Sequence, residues 1–339
     1  MSKKNKRSRQ STSAPGRITV PPPTPSSFGA EQVVRDFHRL LEGRSFEDIE
    51  EANVFLASLT GAGLENALKN APALSPQEEA QDLAYRAMDA PNRKQAMSLA
   101  RLALTHDPDC VDALVILAAA NARSGDELIV GLEKAVAAGE RSLGARYFKE
   151  NKGHFWGLLE TRPYMRARQQ LADALIDEGR NNEAIAHLQA LLDLNPNDNQ
   201  GVRGILLGLY LAQGDLKGTG RLLRQYRQDC SAVFNWGRVL ERVLSSDFQG
   251  AERALQQARA SNHYMELYLT GKKRPPKKMP EMYSLGSEEE ALICLELLSD
   301  ALTAHPEALV WILKQFIAEE EAAAVEKKNQ RNLGQKFLF

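Results

Sequence analysis

Apolar residues recur along most of this chain at spacings of three and four, the period of a helix that buries one stripe. Val33, Val34, Phe37, Leu40 and Leu41 share one face of a helix predicted over 31–41. A second is predicted from Ser45, whose S-x-x-D step to Asp48 has the form of a capping box, to about Leu59, with Gly61 and Gly63 as its stop. No segment has the strict alternation of a strand, so an all-α chain with helix content above about 60% is expected.

From residue 76 the helices repeat in pairs. The stretch LAYRAMDAPNRKQAMSLARLALTHDPD (83–109) aligns without a gap on LADALIDEGRNNEAIAHLQALLDLNPN (171–197), placing Ala84 on Ala172, Ala96 on Ala184, Ala100 on Leu188 and Pro108 on Pro196. Small residues at these positions let two antiparallel helices nest. The proline ends the second helix and is expected in the first turn of the next. Weaker units open at Leu114, Leu117 and Ala118 and at Val202, Ile205 and Leu206, with Gly125-Asp126 and Gly214-Asp215 turns; their second helices lack the expected small residue and the closing proline. A further pair is predicted at 231–245 and 248–260. The repeated units resemble the tetratricopeptide repeat (TPR), which has a small residue at position 8, Ala at 20 and Pro at 32. That resemblance implies a right-handed helical-hairpin superhelix (α-solenoid), here with one insertion and a C-terminal helical extension.

The chain then divides into a disordered basic Ser/Pro-rich tail (1–29), N-terminal helices (30–75), a first pair of repeats (76–149), an insertion (150–163), further repeats (164–260), a basic Pro-containing loop (261–286) and C-terminal helices (287–339). Ser287 is expected to cap a helix to about Thr303, and Pro306 to open the last one, with Phe337-Leu338-Phe339 as a docking tail or a frayed end.

Composition fits this picture: of 339 residues 43% are apolar and only 6% aromatic. Formal charge is −1, but residues 1–17 hold six basic residues and no acid, which leaves 37 basic against 44 acidic in the rest. The body is therefore not a broad polyanion-binding surface. Cys110, Cys230 and Cys294 are far apart with no Cys-x-x-Cys pair, which disfavours disulfides and a zinc site. No apolar h-region follows the basic start, and the run Ala113 to Ala120 falls far short of the roughly 20 residues of a membrane span. A cytoplasmic protein without metal, cofactor or membrane contact is expected.

One stretch departs from plain amphipathic helix: ENKGHFWGLLETRPYMRAR (150–168). Read as chemistry, His154 would be a base, Glu160 an acid, and Arg162 or Arg166 an anion clamp, but neither a nucleophile nor a second His lies nearby. Read as packing, Phe155, Trp156, Leu158 and Leu159 plug a gap between repeats, and a helix with Pro163 in its first turn follows. Read as recognition, His154, Trp156 and Arg162 are anchors at the mouth of a groove. With NPNDNQGVR (195–203) and YSLGSEEEA (283–291), the stretch is similar to bacterial TPR proteins grouped with the suppression-of-tumorigenicity-seven family, a resemblance over about 95–313 that implies no defined activity.

A TPR array implies a groove lined by first helices, in which a peptide or helix lies. By family position that groove would be lined by Arg166, Gln169, Asp173, Ile176, Asp177, Gln200, Arg203, Leu207 and Tyr210, with Arg166 and Arg203 exposed and one repeat apart. The Lys and Asn pattern that clamps a C-terminal carboxylate in some TPR domains is missing. Gly218 and Gly220 precede no completed phosphate-binding fingerprint and read as a turn. The expected function is a non-catalytic adaptor for a protein or peptide partner. Two alternatives remain: an RNA- or ribosome-associated protein using the basic tail and Lys272, Lys273, Arg274, Lys277 and Lys278, and an enzyme centred on His154.

If Ala84 and Ala184 stand at helix crossings, Ala84→Leu or Ala184→Leu is expected to destabilise by roughly 1 to 3 kcal/mol through overpacking, measured by denaturant unfolding; a neutral substitution would show that the register is wrong.

Overall fold

The structure, a computed structural model, describes residues 25–41, 44–59 and 62–336. Helices make up 76% and there is no strand among the described residues. In chain order they are α1 (Pro25–Leu41), α2 (Ile49–Ser58), α3 (Ala62–Lys69), α4 (Pro76–Met88), α5 (Arg93–His106), α6 (Val111–Asn121), α7 (Gly125–Glu150), α8 (Arg162–Asp177), α9 (Asn181–Leu194), α10 (Val202–Ala212), α11 (Leu216–Gln225), α12 (Ala232–Leu244), α13 (Phe248–Ser261), α14 (Tyr264–Leu269), α15 (Glu288–Ala304) and α16 (Pro306–Lys336). Two single-turn 3-10 helices, Phe155–Gly157 and Leu159–Thr161, stand between α7 and α8. The basic tail up to residue 24, Gly61 and the Phe337 to Phe339 end lie outside the described residues.

From α4 to α13 every helix packs against the next, so the chain folds as successive hairpins. The first helices also touch one another, α4 with α6, α6 with α8, and α10 with α12. We call the surface they form the A face. Between α8 and α10 it is bridged by Gln200, whose Nε2 donates to Gln169 Oε1 (2.7 Å) and to the Met165 carbonyl (3.1 Å). Ala84, Ala100, Ala103, Ala172 and Ala184 have no exposed surface, as nested crossings require. Of the weaker units, one carries the small residue contrary to expectation: Gly218 lies 34 residues after Ala184, and a Cβ on it would lie 2.8 Å from Tyr210. In the other, Val130 holds that position and the close approach is one residue on, where a Cβ on Gly131 would lie 2.5 Å from Ala118 Cβ. The core is continuous from α6 to α16 around Phe155, Tyr164, Phe234 and Trp236, with a smaller Ala-rich cluster under α4, α5 and α6.

Helix ends follow local chemistry. Ser75 and Glu78 form a reciprocal capping box on α4, and Ser287 accepts from Glu290 N at the start of α15. At α2 the expectation fails by one turn, since Asp48 and not Ser45 is the cap, accepting from Glu51 N at 2.8 Å. Gly63 does not stop a helix; it lies inside α3. Pro108 and Pro196 lie in the turns that follow α5 and α9, ahead of the first residues of α6 and α10. The first helix also begins earlier than the predicted residue 31, because α1 opens at Pro25. α7 runs far beyond the length of a repeat helix and breaks its backbone at Gly144 (φ 75°, ψ 153°), a conformation that disfavours a side chain.

Two helices outside the hairpins lie on the A face. α1 packs on α4, and α15 packs on α10 and α12. α15 approaches the α10 backbone closely: a Cβ on Gly208 would come within 2.1 Å of the Leu297 carbonyl oxygen, and one on Gly204 within 3.3 Å of Leu297 Cδ1. Gly208→Ala is therefore expected to push α15 off α10 and destabilise by about 1 to 3 kcal/mol, measured by denaturant unfolding; unchanged stability would mean that α15 is not seated there.

Candidate functional site

The residues expected in a groove are distributed over both kinds of surface. Arg166, in the first turns of α8, is 7% exposed and is not a groove-facing surface charge. Its Nη2 and Nε donate to Asp112 of α6 (2.6 and 3.3 Å), and its Nη1 donates to both carboxylate oxygens of Glu31 of α1 (2.9 Å each). Burial opposes the charged form, but Asp112 first and then Glu31 hold the guanidinium protonated well above its ordinary range. Its conversion to Glu would set a third carboxylate beside two others, so the expectation of an exposed Arg166 that takes no part in folding does not survive the structure.

Around Arg166 a polar cluster joins four helices. Gln81 of α4 donates to Asp112 (2.7 Å), Tyr85 of α4 donates to Glu31 (3.0 Å), and Arg162 donates to Glu31 from the other side (3.3 Å). Gln32, next to Glu31, and Arg35, one turn along α1, both donate to Asp82 of α4, at 2.8 and 3.0 Å. Burial, with Glu31 and Asp112 adding to it, raises the Tyr85 hydroxyl above its usual pKa, so it acts as a donor.

The insertion frames this cluster. Phe155, not Trp156, is its fully buried plug, ringed by Tyr147, Phe148 and Tyr164 at centroid distances of 6.3, 4.9 and 6.4 Å. Thr161 Oγ1 donates to the Leu158 carbonyl (2.8 Å) and to that of Phe155, closing the loop on itself. Trp156 is half-buried under the Arg162 guanidinium, which lies 5.4 Å from its ring centroid and donates through Nε to its carbonyl (3.0 Å). His154 is exposed, and Glu160 is engaged by the Tyr147 hydroxyl (2.6 Å). Cys110 is buried and its thiol is pushed up to about 12 by that burial, so it presents no thiolate near neutral pH. Among the described residues no group of three or more His, Cys, Asp or Glu is placed to hold a metal ion.

The other expected groove residues divide. Arg203 is tied to Asp229 (2.6 Å) and Asp198 (3.2 Å) and covers the Tyr226 ring. Leu207 is fully buried against Gly237, and Tyr210 turns away from the A face to meet Gln189 and Gly218 between α9 and α11. Gln169, Asp173 and Asp177 continue the Arg166 stripe along α8, with Asp177 exposed. The role of Glu290 was not read from the sequence: Oε1 accepts from Ala232 N (2.8 Å), and Oε2 from Gly286 N (2.7 Å) and Asn262 (3.0 Å), which joins α12, α13 and α15. Its only sequence signal is its place three residues after Ser287, the spacing of a capping box. The basic loop is partly neutralised within the chain, Lys273 by Glu288 and Lys278 by Glu281.

No family model matches the chain, and no curated protein matches it. Among the described residues no helix is long and apolar enough to cross a membrane.

Phe155→Ala is expected to destabilise by roughly 3 to 5 kcal/mol and Trp156→Ala by clearly less, read from paired denaturant melts; the reverse order would return the plug to Trp156. Asp173 gives a pH test. Burial, and then Asp177, push its carboxyl from an ordinary 3.8 up to about 7. The folded state therefore binds this proton more tightly than the unfolded state. The resulting penalty is absent at about pH 4, grows as pH rises and is complete above about pH 7. Asp173→Asn should match the parent's melting temperature at pH 4 and exceed it at pH 8; equal melting at both would sink the assignment.

Proposed function

We propose that the chain is a TPR-type α-solenoid that acts without catalysis, as an adaptor that receives a helix or peptide of a partner protein on its A face. The observation that supports this most is that helices lie on this face twice, α1 over α4 and α8 and α15 over α10 and α12. A surface that seats a helix has the width, the small residues and the polar groups that helix-in-groove recognition uses. The unit's likeness to TPR proteins, in Ala84, Ala96 and Pro108 and again in Ala172, Ala184 and Pro196, supports the same reading.

Between the two seated helices, the α8 stripe of Gln169, Asp173 and Asp177 is the part of the A face that offers acidic and amide groups to a partner. The RNA reading has less support, because Lys272 and Lys273 engage Glu320 and Glu288.

The test is quantitative capture with the full chain as bait. A partner retained by the parent and by Lys134→Glu, an exposed change on α7, but lost with Asp177→Lys, would support the A face. Equal recovery by all three would place binding elsewhere and remove the proposal.

A further inference from the structure

We propose that the Arg166 cluster is a recognition site for a partner helix that carries Glu at one position and Arg four residues later, and that α1 is its displaceable internal occupant. The inference rests on the adaptor reading and gives the partner's chemistry.

The site takes one carboxylate. Arg166 offers 2.9 Å contacts to both Glu31 oxygens, while Tyr85 and Arg162 close on it at 3.0 and 3.3 Å. A guanidinium gripping both oxygens of a carboxylate fixes direction as well as charge. A second contact sets the register. Arg35 follows Glu31 by one helical turn and meets Asp82, so α1 reads as Glu-x-x-x-Arg against a basic and then an acidic pocket.

That site is assembled from the rest of the chain. Asp112 holds Arg166 through two bonds, and Gln81 holds Asp112, all without α1. With Glu31 gone, Arg162 and Arg166 would both lose the carboxylate they share, which leaves a place for another anion.

The seat of α1 is polar where that of α15 is apolar. Of the described α1 side chains, only Glu31 and Leu40 are buried, and Val33 and Val34 are 50% and 44% exposed. Two of its buried donors, Arg35 Nε and Nη1, have no protein partner, which disfavours the seated state. The next helix, α2, has no buried residue, and the short α3, with the Pro72 carbonyl that accepts from Arg39, holds only the end of α1 away from Glu31. In contrast, α15 buries Ala291, Leu292, Cys294, Leu298, Ala301 and Leu302. Apolar area is what fixes a helix in place, and the described side chains of α1, residues 31–41, bury little of it. A partner helix with more apolar contact and the same Glu-x-x-x-Arg register would displace α1 by mass action, its apparent affinity reduced by the fraction of chain in which α1 is seated.

The probe is a fluorescent synthetic peptide of residues 25–41, titrated into the full chain and into its Glu31→Arg variant. Like charge beside Arg166 and Arg162 should unseat α1 in the variant, which then binds the peptide at least about tenfold more tightly than the parent does. The same peptide with its own Glu31→Gln change should lose that gain. Equal binding by parent and variant, or binding indifferent to the peptide's glutamate, would overturn the inference. Should the variant not fold, hydrogen exchange of the parent decides instead. Exchange of 31–41 as a unit ahead of α4 to α8 supports a displaceable α1, and exchange only with global unfolding refutes it. A partner captured through Asp177 but indifferent to the peptide would leave the adaptor reading standing while this one falls. Peptide exchange with no A-face partner would do the opposite.

Discussion

A helical hairpin cannot bury its apolar stripe alone, and the architecture from α4 to α13 follows from that constraint. Consecutive helices pack on one another, and small residues such as Ala84, Ala100, Ala172, Ala184, Gly131 and Gly218 stand where they approach closely. Stacking leaves a surface of first helices along one side. α15 completes the core over α10 and α12, with Leu297 against the bare backbone of Gly204 and Gly208. α1 lies over α4 and α8 on very different terms.

Polar pins supplement the apolar stack at its junctions. A buried charge is tolerated only with a partner, and each such partner here comes from another helix or from the turn before it. Arg166 binds Asp112 and Glu31, Arg203 binds Asp198 and Asp229, and Glu290 gathers Ala232 N, Asn262 and Gly286 N. Arg166, Arg203 and Glu290 fall in the stretches 150–168, 195–203 and 283–291, which carry the narrower family resemblance in the sequence. Their structural work is to hold helix ends in register across repeats.

The contrast between the two seated helices links packing to function. A helix held by apolar area leaves only when the fold opens, whereas one held by a carboxylate on a preformed guanidinium can be replaced by a better carboxylate-bearing helix. The insertion contributes through Trp156, whose ring and carbonyl hold Arg162 of α8 where it reaches Glu31, so the segment between α7 and α8 supports one wall of the cluster around α1.

Sequence by itself determined that the chain is helical and where several helices start, because period and caps are local properties: Ser287 and Pro306 start helices where their chemistry predicts, though the α2 cap is Asp48 and not Ser45. It also marked the alanine crossings of the two clear repeats, and the insertion. What only the tertiary structure decided is which side chains meet across long separations. Arg166 lies 135 residues from Glu31 and 54 from Asp112, so no local pattern distinguishes a groove arginine from a buried pin. The choice of Phe155 over its neighbour Trp156 as the plug depended in the same way on Tyr147, Phe148 and Tyr164, which shape a space for one ring that adjacent aromatic letters do not reveal. Occupation of the A face by α1 and α15 was equally hidden, since an amphipathic stripe records that a helix is covered but not by what.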